Sequence, residues 1–212
     1  GAKGDNLLWD PVVRKCLTER KPQASAVTMP LRTIVDQNPR LESRVVIPIV
    51  KTPQSVELDA KVLLDGMVLR AAHPVFSRSG ALLGALIGGV LINRDYDIVD
   101  TIKETVYQDE TYKDRDIGFA TIFLGPVRIS TNVKTKDNQR AVGTLVSREV
   151  YDRVIIEGKD WVGRAFVVND WYISAYAPLY DIDRRIIGMF YTGILEAKYR
   201  DMMLNTILIF FG

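Results

Sequence analysis

"AFVVNDWYISAYAPLYDIDRRIIGMFYTGILE", residues 165–196, reads as three strands broken by Asn169-Asp170 and by the loop "DIDR". Asparagine and aspartate tolerate positive φ, so the first break is a two-residue hairpin signal. Set without a gap against "KVLLDGMVLRAAHPVFSRSGALLGALIGGVLI", residues 61–92, the stretch aligns Ala71 with Ala175, Pro74 with Pro178, Gly84 with Gly188, Gly89 with Gly193 and Leu91 with Leu195. Asp65-Gly66 falls on Asn169-Asp170, so turn chemistry repeats along with hydrophobicity. The reading that follows is two copies of one three-stranded meander, joined near residues 108–116, each followed by a helix.

Outward from the repeat, the pattern is mostly local. Asp10-Pro11 opens a helix to about Arg20, with the aspartate as N-cap and proline in the first turn. "LRTIVDQ" is a short helix and "RVVIPIV" a strand. "NRDYDIVDTIKETVY" is a helix capped by Asn93 or Asp95, with Ile98, Val99, Ile102 and Val106 on one face. "GFATIFLGPVRISTNV" folds back at Gly125-Pro126. Ser147 caps "REVYDRVIIEG", which turns Val150, Tyr151, Val154 and Ile155 inward and ends at Gly158. Strand meanders with helices to one side define an α+β layer architecture.

Composition narrows function by exclusion. The 212 residues are 47% hydrophobic with a formal net charge of +2, acids and bases interspersed, which fits a folded chain and no nucleic-acid partner. One cysteine, Cys16, and one histidine, His73, leave no disulfide, no cysteine or histidine metal site and no Ser-His-Asp triad. No cofactor motif and no metal site are read. The acids Asp181 and Asp183, the remaining paired-carboxylate option, sit in a turn where acids are expected anyway. No apolar run reaches the roughly 18 to 20 residues of a membrane span. The apolar "MMLNTILIFFG" at 202–212, after the charged "EAKYRDM", nevertheless reads as the first half of one.

"GGVLINRDYDIVDTIKETVYQDETYKDRDIGFATIFLGPVRISTNV", "RAVGTLVSREVYDRV" and "GRAFVVNDWYISAYAPLYDIDRRIIGMFYTGILEAKYRDM" resemble the Cache family of extracytoplasmic sensor domains, of the double-module Cache 3/Cache 2 fusion type. The resemblance covers nearly all of residues 60–201. It implies two tandem PAS-like modules, each an antiparallel sheet with flanking helices: 1–110 membrane-distal, 111–201 membrane-proximal, and 202–212 the start of a transmembrane helix. It also implies a periplasmic position in an inner-membrane receptor, a homodimer, and output through a histidine kinase or a chemoreceptor, with no catalysis in the domain itself. The alternative is a non-binding structural ectodomain that relays contact with a partner protein.

Strand parity locates the expected ligand site, because neighbouring side chains point to opposite faces. About the Gly125-Pro126 turn, Ile122, Leu124, Val127 and Ile129 form the core face, and Phe123, Arg128 and Ser130 the other. About Asn169-Asp170, Phe166, Val168, Trp171, Ile173 and Ala175 form an apolar face, with Ala165, Val167, Tyr172, Ser174 and Tyr176 opposite. A four-residue "DIDR" loop puts Tyr191 across from Ser174, and Gly193 across from Tyr172. In the first copy, Tyr172, Ser174, Tyr176 and Tyr191 become Val68, Arg70, Ala72 and Ile87, so the fold does not itself demand the hydroxyls. The expected site is therefore Arg128 as carboxylate anchor, with Phe123, Ser130, Tyr172, Ser174, Tyr176 and Tyr191 around it. The competing reading is a solvated sheet face with tyrosines packed under a loop. In carboxylate-sensing Cache domains, positions four and two before the strand's proline commonly face the ligand; here they are Ser174 and Tyr176. The basic residues that citrate sensors often place there are absent, which favours a monocarboxylate or another compact polar molecule. Arg70 is expected in an ion pair, and His73 on the opposite side of its strand.

Overall fold

The computed structural model describes residues 6–168 and 170–211, without the side chains of Phe166, Asp170 and 204–211. In chain order its elements are α1 (Pro11–Glu19), β1 (Gln23–Pro30), α2 (Leu31–Gln37), α3 (Glu42–Val45), β2 (Ile47–Pro48), β3 (Val62–Leu63), β4 (Asp65–Phe76), β5 (Leu82–Leu91), α4 (Asp97–Tyr107), β6 (Thr111–Tyr112), β7 (Arg115–Asp116), β8 (Gly118–Leu124), β9 (Val127–Thr131), α5 (Arg148–Tyr151), β10 (Trp161–Val167), β11 (Asp170–Tyr180), β12 (Ile186–Leu195) and α6 (Glu196–Phe211). The α+β class holds. Two antiparallel sheets carry it, one of three strands ordered β1-β4-β5 and one of five ordered β10-β11-β12-β8-β9.

The repeat is real in register. Val68 pairs with Leu91 and Ala72 with Ile87, while Tyr172 pairs with Leu195 and Tyr176 with Tyr191. The register shift between Val75 and Phe76 recurs at the equivalent Leu179 and Tyr180. The expected turn at Asp65-Gly66 does not: Gly66 lies inside β4, opposite Met29. A Cβ there would come within 2.5 Å of Ile34 Cδ1 and 2.8 Å of Leu91 Cδ1, so this glycine serves close packing rather than positive φ. The third strand of the first sheet is β1 instead, from a segment that alternates only weakly. "RVVIPIV" is likewise shorter than expected, with Val45 ending α3 and only Ile47–Pro48 in a strand.

Capping explains several ends. Asp10 accepts from the Val12 and Val13 amides, Pro11 follows, and Arg20 closes α1 at φ 53°. Ser147 accepts from the Val150 amide to start α5, which continues as a π-helical turn over Asp152–Ile156 before Gly158 at φ 67°. Asn93 is no cap. It is buried, its Oδ1 accepting from the Met67 amide and its Nδ2 donating to the Asp65 carbonyl, so it clasps the end of β5 to the start of β4. α4 starts after Tyr96 with its first amide near Asp95, and buries Val99 while Ile98 and Val106 stay exposed.

Three apolar clusters fill the interior. Val12, Val13, Cys16, Met29, Val68 and Leu91 pack α1 onto the first sheet. Met67, Ile92 and Ile47 meet Ile122, Leu124, Val127 and Ile129 of the β8–β9 hairpin, so the face expected as core is core, built across the two sheets. The opposite face of the five-stranded sheet packs under α5 and the segment before it, with Phe123, Tyr172, Tyr176, Met189 and Tyr191 against Val133, Val146, Val150 and Val154. Both faces of β8 and β9 are therefore buried.

Candidate functional site

Strands β8, β9, β11 and β12 bring polar groups to the face under α5. Phe123 pairs with Arg128, Tyr191 with Thr121, Tyr176 with Tyr191 and Ser174 with Gly193. In β10, Val167 pairs with Asp170 and Ala165 with Tyr172, so the hairpin closes one residue earlier than expected; Asn169 lies outside the described residues. Moving a turn by one residue shifts pairing by two, which preserves the faces. Tyr172, Ser174 and Tyr176 therefore share a face as expected, and all three are buried.

Three expectations are corrected. The Trp171 and Ile173 face is the exposed one, because the covering layer lies over the hydroxyl face; Trp171 instead carries Arg164, whose Cζ sits 3.9 Å from its ring centroid. The side chain of Phe166 lies outside the described residues. Ser130 leaves the site. A register shift between Ile122 and Phe123 sets Ser130 opposite Ile122, and its hydroxyl donates to the Asp95 carbonyl on the far side of the sheet. Thr131 and Thr121 take its place, their hydroxyls 2.6 Å apart. Tyr191 also stands across from Tyr176 rather than Ser174. The bulge at Leu179/Tyr180 and a loop pinned by Asp181, which accepts from the Asp183 and Arg185 amides, add the extra residues.

At the centre lies Arg128, 3% exposed. Its Nη1 donates to Thr121 Oγ1 at 3.4 Å, its Cζ lies 5.0 Å from the Phe123 ring centroid, and its Nε has no partner among the described residues. Among the described residues no carboxylate pairs with it. Burial pulls the guanidinium below its ordinary value, opposed by the nearby hydroxyls of Tyr176, Tyr191 and Tyr172. It stays charged nonetheless, since arginine is effectively never deprotonated in proteins. Burial pushes the Tyr176 hydroxyl up to about 12, against the pull of Arg128. Tyr191 is raised well above the usual phenol range by the same desolvation, and among the described residues its hydroxyl has no partner in bonding geometry, the nearby Ser174 hydroxyl included. A buried cation with an open donor beside neutral hydroxyls is an arrangement an anion would complete.

Arg128 and Tyr176 line a cavity of about 130 Å³, walled by Thr144, Val150, Trp161 and Ala165, with Arg164 also in its lining. Trp161 packs edge-on to Tyr176 at 5.7 Å and donates from Nε1 to Glu149 at 3.0 Å, tying β10 to α5 beside the cavity. Phe123 and Tyr191 back the two lining residues, at 6.2 and 4.8 Å from Tyr176. Tyr172 and Ser174 lie further along the same face and do not line the cavity. Thr121, Thr131, Trp161 and Arg164 are the residues that sequence reasoning missed. Parity with Phe123 and Ala165 points to Thr121 and Trp161, while Thr131 depends on a bulge with no sequence signal.

The five-stranded antiparallel sheet thus holds a polar pocket on the face packed under α5. Residues 90–206 match the family described as single Cache domain 3, and the chain belongs to it. Cache modules are non-catalytic, extracytoplasmic ligand-sensing domains of signal-transduction receptors, and that is the class of this chain. The match takes in α4 and the five-stranded sheet, leaving most of the three-stranded sheet before it. No curated protein matches the sequence. Among solved structures the chain is similar to the periplasmic domain of Vibrio cholerae LuxQ, at 10% identity and a TM-score of 0.39, over 77% of this chain and 60% of that one. It is similar also to the periplasmic sensory domain of the Campylobacter jejuni chemoreceptor Tlp1, at 12% identity and a TM-score of 0.37, over 89% of this chain and 55% of that one. The chain thus spans less than two thirds of either.

Proposed function

We propose that the five-stranded module binds a small monocarboxylate at Arg128, as the sensing step of a transmembrane receptor. The observation that carries this is a buried guanidinium with an open Nε and no acidic partner among the described residues, at the edge of a cavity. About 150 Å³ holds a benzene ring, so about 130 Å³ admits acetate or propionate and excludes a tricarboxylate. One carboxylate oxygen would accept from Arg128, and the Tyr176 hydroxyl would donate to the other.

Coupling to output follows from Arg164, which lines the cavity and donates to Glu196 Oε2 at 2.7 Å, in the first turn of α6. A ligand that favours one placement of β10 thereby favours one placement of α6. In this reading the three-stranded sheet is a membrane-distal second module, the receptor is a homodimer, α6 leads to an inner-membrane anchor, and the output is a histidine kinase or a chemoreceptor. Among the described residues no helix is long and apolar enough to cross a membrane; the side chains of 204–212, most of the 202–212 stretch expected to begin the span, lie outside them.

Thermal unfolding with acetate, propionate, succinate and citrate tests the site. Ligand at a hundredfold its Kd adds about 2.7 kcal/mol, so acetate or propionate should raise the Tm of wild type by several degrees and leave Arg128→Met unmoved. Stabilisation by none of them, or equally in both proteins, removes the proposal. A non-binding ectodomain that dimerises is the second reading, favoured by the exposed Leu69, Val75, Leu86 and Val90 on one face of β4–β5. A dimer that Leu86→Glu dissociates, with no carboxylate response, would support it instead.

A further inference from the structure

The three-stranded sheet holds a second buried arginine in a different electrostatic setting. Arg70, at the repeat position of Ser174, is 6% exposed. Its Nε donates to Asp10 Oδ2 at 2.8 Å and its Nη1 to Gln37 Oε1 at 3.3 Å, while Nη2 is buried without a partner among the described residues. Gly89 makes room for it, since a Cβ there would stand 3.3 Å from both Arg70 Cδ and Nη1. The guanidinium lines a cavity of about 520 Å³ between the sheet and α2, with apolar walls from Met29, Ile34, Leu41, Ile87 and Leu91 and Asp36 at its rim. That volume lies in the range of pockets for mid-sized organic ligands.

Charge decides what fits. Arg128 lacks an acid, but Arg70 already has Asp10, which is fully buried and whose other oxygen is taken by the Val12 and Val13 amides. A second anion would add a net negative charge beside Asp10 and Asp36 in an apolar cavity, and a cation would face an open donor. An uncharged acceptor meets neither penalty. We propose that this cavity is a second ligand site, distinct from the Arg128 site, for a neutral amphiphile whose carbonyl-type oxygen accepts from Arg70 Nη2 and whose apolar body lies against Ile34, Leu41 and Leu91.

Calorimetric titration of the whole chain with octanamide and octanoate, which share a tail and differ in charge, tests it. Wild type should bind octanamide at least about tenfold more tightly than octanoate. Arg70→Lys, which keeps a cation for Asp10 but loses the fork, and Leu41→Trp, which fills the cavity from its half-buried rim, should each weaken octanamide by about tenfold or more. Arg128→Met should bind octanamide as wild type does, so failure here is separable from failure of the carboxylate site. Octanoate binding as tightly as octanamide, no octanamide binding to wild type, unchanged binding in Arg70→Lys or Leu41→Trp, or loss in Arg128→Met would each overturn the proposal.

Discussion

Arg128 is the residue on which most consequences turn. A buried cation without an acidic partner costs folding free energy that a bound anion would offset. Replacing it with methionine, similar in length and apolar, should therefore stabilise the ligand-free protein by on the order of 1–3 kcal/mol while abolishing the carboxylate response. Chemical denaturation of both proteins without ligand checks the sign; a destabilised variant would mean that Arg128 is held by structure rather than kept for a ligand. The tyrosines give a pH signature. With the Tyr176 hydroxyl raised to about 12 in the fold and near 10 when unfolded, the folded state prefers the neutral phenol by about 3 kcal/mol. That contribution is whole below about pH 10 and is lost as pH rises through about 12. Stability measured across this window should fall less steeply in Tyr176→Phe than in wild type. Ser130→Ala, by contrast, should leave carboxylate binding unchanged, because its hydroxyl serves the Asp95 carbonyl on the other face.

At the scale of the element, turns and bulges separate what the sequence reveals from what it hides. Alternation alone puts Phe123 with Arg128 and Tyr172 with Ser174 and Tyr176, because faces survive a two-residue change of register. It does not reveal the shift between Ile122 and Phe123 that exchanges Ser130 for Thr131, nor the one at Leu179/Tyr180 that moves Tyr191 opposite Tyr176. Nor does it say which face is covered: the helical layer lies on the side away from the apolar face of Trp171 and Ile173. Glycine misleads in the same way. Gly66 reads as a turn and is a packing contact, whereas Gly193 does leave room, for the Tyr191 hydroxyl. A Cβ on Gly193 would fall 2.2 Å from that oxygen, so Gly193→Ala should destabilise by about 1–3 kcal/mol. Tyr191→Phe in the same chain should recover part of the loss, measurable as a double-mutant cycle. Additive effects would mean that the two side chains do not compete for one space.

For the whole molecule, the arrangement is one sheet with Arg128, which has no acidic partner among the described residues, one with Arg70 paired to Asp10, and a helix that leaves the first. β12 runs directly into α6, and Arg164 ties the edge strand of the cavity to Glu196. The pair is half-exposed and contributes little to stability. Its role in this reading is positional: Arg164→Ala should keep acetate binding within a few-fold while reducing any acetate-dependent change in amide exchange along α6. An unchanged exchange response would place the coupling elsewhere. The central claim is tested most directly by solving the structure of the protein saturated with acetate. Its carboxylate should lie within hydrogen-bonding distance of Arg128 Nε and the Tyr176 hydroxyl, with Trp161 closed over it; a cavity without acetate at saturating concentration, or acetate bound away from Arg128, would contradict it.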